Sequence, residues 1–308
     1  MHVLVTGGAG FIGSHLVEEL LHRGDTVRVL DNFSTGRREN LHPWKSDIEL
    51  VEADLRDAEK VKSAVIGMDW VFHLAAFISV PQSLVDPGTC FSVNVTGTVN
   101  ILEASRLAGV RKVVLASSTA VYGDPKEFPT SEEAVLQPLS PYAASKQVNE
   151  IYARQYTRVF HLPVVPLRFF NVYGPRQRPD SPYAAAIPIF VDLLVNGKPV
   201  TIFGDGRQSR DFIFVKDVVR ANILAAGSQA AGEPINICSG HETTMLDLLE
   251  ELSELSPNQP EVRFAPPRPG DIYRSIGNPL KAQVSLGFQA GTSLADGLQE
   301  TITWMKKQ

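Results

Sequence analysis

The segment TGGAGFIG at residues 6–13 constrains the fold more strongly than any other part of this 308-residue chain. Its glycines Gly7, Gly10 and Gly13 follow the apolar strand pattern HVLVT and open a helical pattern. Glycines permit a tight turn and a close approach of the backbone to a pyrophosphate, while the helix N-terminus offers N–H donors. The spacing therefore predicts a strand–turn–helix unit that binds a dinucleotide.

An acidic residue ends the second predicted strand. TVRVLD closes on Asp31, near the spacing of about 20 residues at which dinucleotide-binding units place an acid on the ribose. A carboxylate accepts hydrogen bonds from the ribose hydroxyls and repels a 2′-phosphate, which favours NAD over NADP. Arg37 and Arg38 follow soon after and are the feature that argues for NADP instead.

Short apolar runs alternate with helical patterns through residues 1–170. The runs are HVLVT, TVRVLD, IELVEAD, WVFHLAA, KVVLASS and PVVPLRF, separated by helical patterns such as SHLVEELLHRG, AEKVKSAVIG, TGTVNILEASRLAG and SPYAASKQVNEIYARQYTRV. Nearly continuous apolar strands are typical of a parallel sheet covered on both faces. The alternation predicts an α/β fold with a Rossmann-type doubly wound parallel sheet.

The pattern changes after residue 170, where Pro and Gly become denser and the strands shorten. We therefore predict an NAD-binding domain over 1–170, with a segment near 211–237 that returns to the main sheet. Residues 171–210 and 238–308 are predicted to form a smaller C-terminal substrate-binding domain.

Composition narrows the classes of function. The net charge is −5 and no run concentrates Lys or Arg, so neither a nucleic-acid partner nor a membrane-surface partner is expected. The N-terminus lacks a signal-peptide pattern, and no apolar stretch approaches the roughly 20 residues of a membrane span. We expect a cytoplasmic protein whose Cys90 and Cys238 are free thiols, with no metal site.

The segment SPYAASK predicts a helix that carries a reactive pair. Ser140 suits the N-cap and Pro141 the first helical position, which leaves Tyr142 and Lys146 one turn apart on the same face. A tyrosine with a pKa of about 10 is a weak base at neutral pH. A nearby ammonium and a nicotinamide cation are expected to lower that pKa, so that Tyr142 accepts a proton from a substrate hydroxyl. Ser118 ends the strand KVVLASS, where open α/β sheets bind ligands.

These motifs together resemble the extended short-chain dehydrogenase/reductase family. The resemblance rests on GGAGFIG, HLAA at 73–76, SSTAVYG, YAASK, RFFNVYGPRQ, GDGRQSRDFIFVKDV and PPRPGD, and on the C-terminal LGF and WMKK, so that it covers essentially the whole chain. The subgroup that it most resembles is the UDP-sugar 4-epimerases. Such enzymes oxidise C4 of the sugar to a transient ketone with bound NAD and return the hydride to the opposite face.

The resemblance implies a role for individual residues. Tyr142 is the expected base, Lys146 its partner and a ribose ligand, and Ser118 the hydroxyl that binds the sugar 4-oxygen. The residues expected to bind the cofactor are Gly7, Gly10, Phe11, Ile12, Gly13, Asp31, Asn32, Asp54, Leu55, Leu74, Ala75, Ala76, Asn94, Tyr142 and Lys146. Those expected to bind the UDP-sugar are Ser79, Ser118, Thr119, Asn171, Ala185, Phe203, Arg210, Arg268, Asp271 and Ser275. Among the latter, Phe203 is expected near uracil, Asp271 on the uridine ribose, and Arg210 with Arg268 on the diphosphate.

Two positions near Ser118 discriminate between reactions within the family. The related dehydratases and decarboxylases carry acids in this stretch, where this chain has Thr119 and Ala120. Neither side chain exchanges a proton as a carboxylic acid does, which favours simple epimerisation. A small residue, Ser275, stands at a position where enzymes limited to non-acetylated sugars tend to carry a tyrosine. This predicts interconversion of UDP-GlcNAc and UDP-GalNAc, with or without UDP-Glc and UDP-Gal.

Two alternatives stay open at this level. The segment GPRQRPD at 174–180 also resembles UDP-glucuronate 4-epimerases, and Arg176 or Arg178 could meet a C6 carboxylate. A non-catalytic, NAD-sensing regulator of the same fold is the alternative from a different class, although it would have no need of Ser118 and Tyr142. Family members usually pair through two helices per subunit, so a homodimer is expected through TGTVNILEASRLAG and the helix that carries Tyr142.

Overall fold

The computed structural model describes residues 1–180, 185–256, 260–267 and 272–308. In chain order its strands are β1 (His2–Thr6), β2 (Thr26–Asp31), β3 (Ile48–Glu52), β4 (Trp70–His73), β5 (Lys112–Ser118), β6 (Val164–Phe169), β7 (Asn171–Tyr173), β8 (Val200–Phe203), β9 (Ser209–Arg210), β10 (Phe212–Phe214), β11 (Ile235–Ile237), β12 (Thr243–Thr244) and β13 (Val262–Ala265). Its helices are α1 (Phe11–His22), α2 (Ala58–Val65), α3 (Val80–Val85), α4 (Pro87–Phe91), α5 (Gly97–Ala108), α6 (Pro141–Phe160), α7 (Ala186–Val195), α8 (Val215–Gly227), α9 (Met245–Glu254), α10 (Leu280–Leu286) and α11 (Leu294–Met305).

Within those residues, a parallel sheet of seven strands has the order β11-β6-β5-β4-β1-β2-β3. The order reverses beside β1, which is the arrangement of a doubly wound sheet with a ligand crevice at the strand ends. The six predicted strands of residues 1–170 all occur in it, and β11 from the later segment completes its edge. The predicted Rossmann-type fold is confirmed.

The central strands of the sheet are buried on both faces because they are mostly apolar, whereas the edge strand β3 is exposed at Glu49, Leu50 and Glu52. Every residue of β6 is buried, as are the first six residues of β5. On one face α1 and α8 pack through side chains such as Leu16, Leu20 and Val218. On the other face α2, α5 and α6 cover the sheet. Helix α8 belongs to the segment predicted to return, so residues 211–237 supply both a face helix and the edge strand β11.

A second, smaller core lies where the substrate-binding domain is predicted. It is formed mainly by α7, α9 and α11 with the short parallel pairs β7–β10 and β8–β13. Phe11 and Ile12 of α1 pack against this core, so the glycine-rich turn lies beside it. Across the described residues, no helix combines the length and apolar character that crossing a bilayer requires.

Candidate functional site

The glycine-rich turn has no room for side chains at two of its glycines. Gly7 has a φ of +71°, and a Cβ there would lie 2.7 Å from the amide nitrogen of Ala75. A Cβ on Gly13 would lie 2.1 Å from the carbonyl oxygen of Gly7, which also accepts a 3.0 Å hydrogen bond from the Gly10 amide. Helix α1 begins at Phe11, directly after the turn. The backbone of Gly10, Phe11, Ile12 and Gly13 therefore forms the helix N-terminus. This surface fits a dinucleotide pyrophosphate.

Asp31 stands beside this turn at the end of β2. Its carboxylate accepts hydrogen bonds from the amides of Ala9 (2.9 Å) and Phe33 (2.8 Å). Burial raises the pKa of Asp31, and the two amide bonds oppose that rise. The carboxylate is thereby fixed at the end of β2, where it can accept further bonds from ribose hydroxyls. Asn32 follows it and donates to Asp54 Oδ2 at 3.1 Å.

Asp54 and Leu55 follow β3 on the same side of the site. Arg56 binds both carboxylate oxygens of Asp54 at 2.8 Å, and these bonds hold the pKa of Asp54 well below its usual range. The carbonyl of Leu55 accepts a 2.9 Å bond from the Asn100 side chain, which ties this segment to α5. Both residues therefore lie on ordered backbone next to Asn32, where adenine is predicted.

The two arginines that argued for NADP have acidic partners. Arg37 contacts Asp180 at 3.2 Å and Arg38 contacts Glu52 at 2.5 Å. Arg38 also lies over the Phe33 ring, with its guanidinium carbon 3.9 Å from the ring centroid. A 2′-phosphate would have to compete with these carboxylates, so the arrangement agrees with NAD as the cofactor.

The strip Leu74–Ala76 runs along the opposite side of the glycine turn. Its backbone is bonded to Thr6, through Leu74 N to the Thr6 carbonyl and Ala75 N to the Thr6 hydroxyl, each at 3.2 Å. Asn94 is buried behind it and exchanges two hydrogen bonds with the backbone of Phe77, of 2.7 and 3.0 Å. Asn94 therefore supports the predicted cofactor-binding strip through the backbone that follows it.

A chain of buried hydroxyl groups and one histidine connects these parts. The Thr98 hydroxyl donates to the Asn94 carbonyl at 2.5 Å, so His73 Nε2 donates to Thr98 at 3.0 Å. His73 Nδ1 then accepts from the Thr6 hydroxyl at 2.7 Å. Burial, and secondarily the charge of Lys146, lowers the pKa of His73 to about 3, which keeps the ring neutral as this chain of bonds requires.

The three predicted catalytic side chains come together at the C-terminal end of β5. Helix α6 begins as predicted, with Ser140 accepting from the Ala143 amide (3.1 Å) and Pro141 at the first position. Lys146 Nζ donates to the Ala116 carbonyl of β5 at 2.9 Å and lies 5.9 Å from the centroid of the Tyr142 ring. A side-chain hydrogen bond with Ser118 lowers the pKa of Tyr142.

The protein's own groups raise the pKa of Tyr142. Burial is the largest influence and raises it, while the hydrogen bond with Ser118 lowers it. Burial also lowers the pKa of Lys146 to about 8, so that this ammonium titrates closer to neutral pH than a free lysine. The predicted lowering of the Tyr142 pKa therefore depends on the positive nicotinamide ring of NAD.

Two cavities share lining residues, and the first includes Thr119 and Ala120, which directly follow Ser118. The Ser275 cavity, of about 240 Å³, is lined by Thr119, Ala120, Tyr122, Gly123, Pro125, Thr130, Phe170, Asn171, Arg210, Ile272, Arg274 and Ser275. The Phe203 cavity, also of about 240 Å³, is lined by Asn171, Ala185, Ala186, Ile189, Phe190, Thr201, Ile202, Phe203, Gln208, Arg210, Phe212 and Met245. Asn171 and Arg210 line both. An amide and a guanidinium therefore stand where the cavities meet, which suits a diphosphate between two larger groups.

The predicted substrate residues distribute over these cavities. Thr119, Asn171, Arg210 and Ser275 line the first, and Ala185 and Phe203 line the second. Ser79 caps α3, where its hydroxyl accepts from the Gln82 amide at 3.2 Å. Arg268 and Asp271 lie outside the described residues.

Sequence reasoning did not identify the residues that hold the segment carrying Ser275. Arg274, next to it, contacts Glu242 at 2.8 and 2.7 Å and lies over the Phe128 ring. The buried carboxylate of Asp211 accepts from the amide of Gly277 (3.1 Å) and from Ser239 and Gly240. The available signal in the sequence was the acid, Asp211, directly after Arg210.

Arg176 and Arg178, which could have bound the C6 carboxylate of a glucuronate, contact other side chains. Within the described part of the chain, Arg176 contacts Glu18 of α1 at 2.5 Å and Arg178 contacts Asp180 at 2.8 Å. His15 of α1 bonds the carbonyl of Pro175 at 2.8 Å, so the 174–180 segment lies on the glycine-turn side. The two arginines are thus engaged away from the residues that line the Ser275 cavity.

Comparisons with known proteins match the whole arrangement. The model of the NAD dependent epimerase/dehydratase family matches residues 3–238. A curated UDP-glucose 4-epimerase from Mycolicibacterium smegmatis is 43% identical over 314 residues, covering 100% of this chain and 99% of the relative.

Solved structures are similar over the same extent. A UDP-N-acetylglucosamine 4-epimerase from Methanobrevibacter ruminantium M1, in complex with UDP-N-acetylmuramic acid, has a TM-score of 0.95 at 38% identity and covers 98% of this chain and 97% of that one. The UDP-glucose 4-epimerase of Thermus thermophilus in complex with NAD has a TM-score of 0.90 at 41% identity, with 99% of each chain covered.

Proposed function

Since this chain belongs to the NAD-dependent epimerase/dehydratase family and is a UDP-sugar 4-epimerase that uses NAD, as its motifs predicted, we propose that it interconverts UDP-GlcNAc and UDP-GalNAc. UDP-Glc and UDP-Gal are the second substrate pair that we propose, since the same cavity accommodates the smaller sugars. The observation that carries the proposal is the Ser275 cavity, which reaches from the β5 end to Asn171 and Arg210. Its lining includes the small side chain of Ser275, which we call the gate.

The proposed proton-transfer step uses the three side chains at the end of β5. Ser118 hydrogen-bonds the sugar 4-oxygen and Tyr142 removes the proton from the 4-hydroxyl. The Lys146 ammonium stabilises the Tyr142 phenolate through its positive charge. NAD, when bound, accepts the hydride from C4 and returns it to either face of the 4-keto sugar. The sugar ring turns over in the Ser275 cavity between these events, while the uridine and diphosphate remain bound.

The anchor in this proposal is the junction of the two cavities. Phe203 is proposed against uracil, and Arg210 and Asn171 bind the diphosphate, since both line the junction. A guanidinium binds phosphate oxygens in a bidentate way, which fixes the nucleotide while it leaves the sugar free. Arg268 and Asp271 remain proposed ligands of the diphosphate and the uridine ribose.

Epimerisation is favoured over dehydration because the wall around C4 lacks an acid at the informative positions. Thr119 and Ala120 line the Ser275 cavity where the related dehydratases and decarboxylases carry acids. Without a second proton donor there, the 4-keto sugar has one outcome, the return of the hydride. The test is incubation of the purified enzyme with UDP-Glc, UDP-Gal, UDP-GlcNAc, UDP-GalNAc and UDP-GlcA, with products separated by NMR. Net NADH release or a 4-keto-6-deoxy product would overturn the reaction type.

The acetylated substrate is tested by enlarging the gate. Ser275→Tyr should abolish turnover of UDP-GlcNAc and spare that of UDP-Glc, because the phenol ring fills space that the N-acetyl group needs. Ser275→Ala is the matched control, since it keeps the gate small and should retain both activities. Equal survival of both activities in Ser275→Tyr would refute the gate.

The two alternatives have less support. Arg176 and Arg178, which could have recognised a uronate, are paired with Glu18 and Asp180. A sensor would bind NAD without turnover of any sugar in the panel.

We also propose a homodimer through α5 and α6. Leu107 of α5 and Ile151 of α6 are 61% and 52% exposed, and Tyr152 and Phe160 of α6 are exposed beside them. Large exposed apolar side chains on neighbouring helices are typical of a protein–protein interface.

A further inference from the structure

A buried ion pair lies directly behind the catalytic cluster. Glu150 of α6 and Arg168 of β6 are 6% and 2% exposed. Arg168 binds Glu150 through two parallel bonds, Nε to Oε1 at 2.8 Å and Nη2 to Oε2 at 2.7 Å. Glu150 Oε1 accepts a third bond, of 2.6 Å, from the hydroxyl of Ser117. The two charges therefore satisfy each other and fix the residue that immediately precedes Ser118.

The pair sits where three secondary-structure elements must keep register. Glu150 follows Lys146 by one helical turn, so Tyr142, Lys146 and Glu150 form one row along α6. Lys146 binds the carbonyl of Ala116 and Glu150 binds Ser117, so two successive residues of β5 are bonded to this row. Arg168 is the register partner of Ser117 on β6. Helix α6, β5 and β6 are thus joined at the level of Ser118.

The far side of Arg168 reaches the Ser275 cavity. Its Nη1 donates to the hydroxyl of Tyr122 at 2.8 Å, and Tyr122 lines that cavity. Tyr122 donates in turn to Asn236 at 2.6 Å, and Asn236 donates to the carbonyl of Thr130 at 3.0 Å. Thr130 is bonded through its backbone to Ile276 and Asn278, next to Ser275. The polar network therefore runs continuously from the α6 row to the gate.

We propose that Glu150 and Arg168 are positioning residues for the epimerase reaction, which hold Ser118 and Lys146 in place beside Tyr142 at the end of β5. The inference rests on the proposed roles of Ser118, Tyr142 and Lys146. A buried ion pair adds little to stability compared with apolar side chains of similar size. Its bonds to both halves of the catalytic cluster give it a geometric use instead.

Lys146 lies near Glu150 and near three other titratable groups. These groups are Tyr142 of the same helix, His73 of β4 and Cys90 of α4. His73 is neutral, and burial raises the pKa of Cys90 and that of Tyr142. Burial is the largest influence on the pKa of Lys146 and lowers it, whereas Cys90 and the carboxylate charge of Glu150, which is paired with Arg168, act in the opposite direction. Removing that charge should let Lys146 lose its proton at lower pH.

Two substitutions at Glu150 separate charge from position. In Glu150→Gln, kcat should fall by about 10- to 100-fold with KM nearly unchanged, and the alkaline limb of the kcat profile should move to lower pH. In Glu150→Asp, the charge remains but the reach is shorter, so kcat should fall while the alkaline limb stays in place. Asp217→Asn is the matched control, a buried acid of α8 bonded to the amides of Gly291 and Thr292. It should lower the melting temperature without moving the limb.

A double variant keeps the test decisive if Glu150→Gln does not fold. Glu150→Gln/Arg168→Met removes both charges, so neither is left buried alone. A folded double variant with low kcat and a shifted limb supports the proposal. A folded double variant with wild-type kcat and pH profile overturns it, as does an unshifted Glu150→Gln. Tyr142→Phe is run beside them, because residual epimerisation in that variant would overturn the proposed function itself.

Discussion

Replacing Gly13 by Ala should weaken the binding of NAD, because the turn has no space for a single methyl group. The added Cβ would lie 2.1 Å from the Gly7 carbonyl oxygen, 2.8 Å from its carbon and 2.9 Å from the Cα of Gly8. All three are backbone atoms, so no side chain can rotate away. Gly7 cannot retreat either, since its own Cα side lies against the backbone of Ala75.

The expected cost follows from these contacts. Overpacking of this kind costs about 1–3 kcal/mol, and the loss of the bond from Gly10 N to the Gly7 carbonyl adds about 0.5–1.5 kcal/mol. A total of roughly 2–4 kcal/mol corresponds to a fall in Tm of about 4–8 °C in a chain of this size. A displaced pyrophosphate site should also weaken NAD binding by at least about tenfold, which is the equivalent of 1.4 kcal/mol.

The assay measures NAD per subunit, released by denaturation and quantified enzymatically, alongside thermal unfolding. Gly227→Ala is the matched control, because it lies at the exposed end of α8 with nothing within 4 Å of the added Cβ. That variant should keep full cofactor content and be neutral or slightly more stable. Full NAD content and an unchanged Tm in Gly13→Ala would refute the steric argument for the turn.

Three further substitutions test other parts of the site. Ser118→Ala should lower kcat by about 10²- to 10³-fold with little change in KM, because the hydroxyl acts on the 4-oxygen during proton transfer; steady-state kinetics with UDP-Glc measures it, and a KM effect alone would contradict it. Asp211→Asn replaces an acceptor by an N–H beside the Gly277 amide, so the KM for UDP-sugars should rise as the Ser275 segment loosens, and an unchanged KM would count against rigidity of the gate. In light scattering, Ile151→Glu should convert the proposed homodimer to monomers, whereas Val284→Glu on α10, which is 78% exposed, should not.

The parts of the fold that could be predicted are those with long, repeated patterns. The strands β1, β2 and β4–β6 are nearly continuous apolar runs because both faces of the sheet are covered there, and such runs are visible in any single sequence. The edge strand β3 is the exposed exception. The short pairs β7–β10, β9–β12 and β8–β13 have two to four residues each and no recognisable period. Their pairing is set by the tertiary packing of the smaller core, which the sequence does not display.

The candidate site divides in the same way. Tyr142, Lys146 and the glycine turn are local patterns, and the structure places them at the strand ends as the pattern requires. Glu150 escaped notice because an acid on a helix usually faces solvent, and only Arg168 on β6, distant in sequence, explains its burial. The lowered pKa of Tyr142 stays a prediction for the enzyme with NAD bound, since among the protein's own groups burial raises that pKa more than the Ser118 hydroxyl lowers it.

The junction of the two cavities has a consequence for substrate recognition, which concerns the distance between the nucleotide and the sugar. With uridine in the Phe203 cavity, as proposed, the diphosphate spans the residues shared by both cavities, Asn171 and Arg210. The two phosphates then set the distance between the nucleotide and the sugar. Rotation of the sugar brings either face of C4 to the Ser118 hydroxyl at the β5 end. We expect a sugar linked through a single phosphate to lie nearer the nucleotide than the sugar of a diphosphate does. In this proposed binding mode, the distance from the nucleotide to C4 contributes to substrate recognition beside the identity of the sugar.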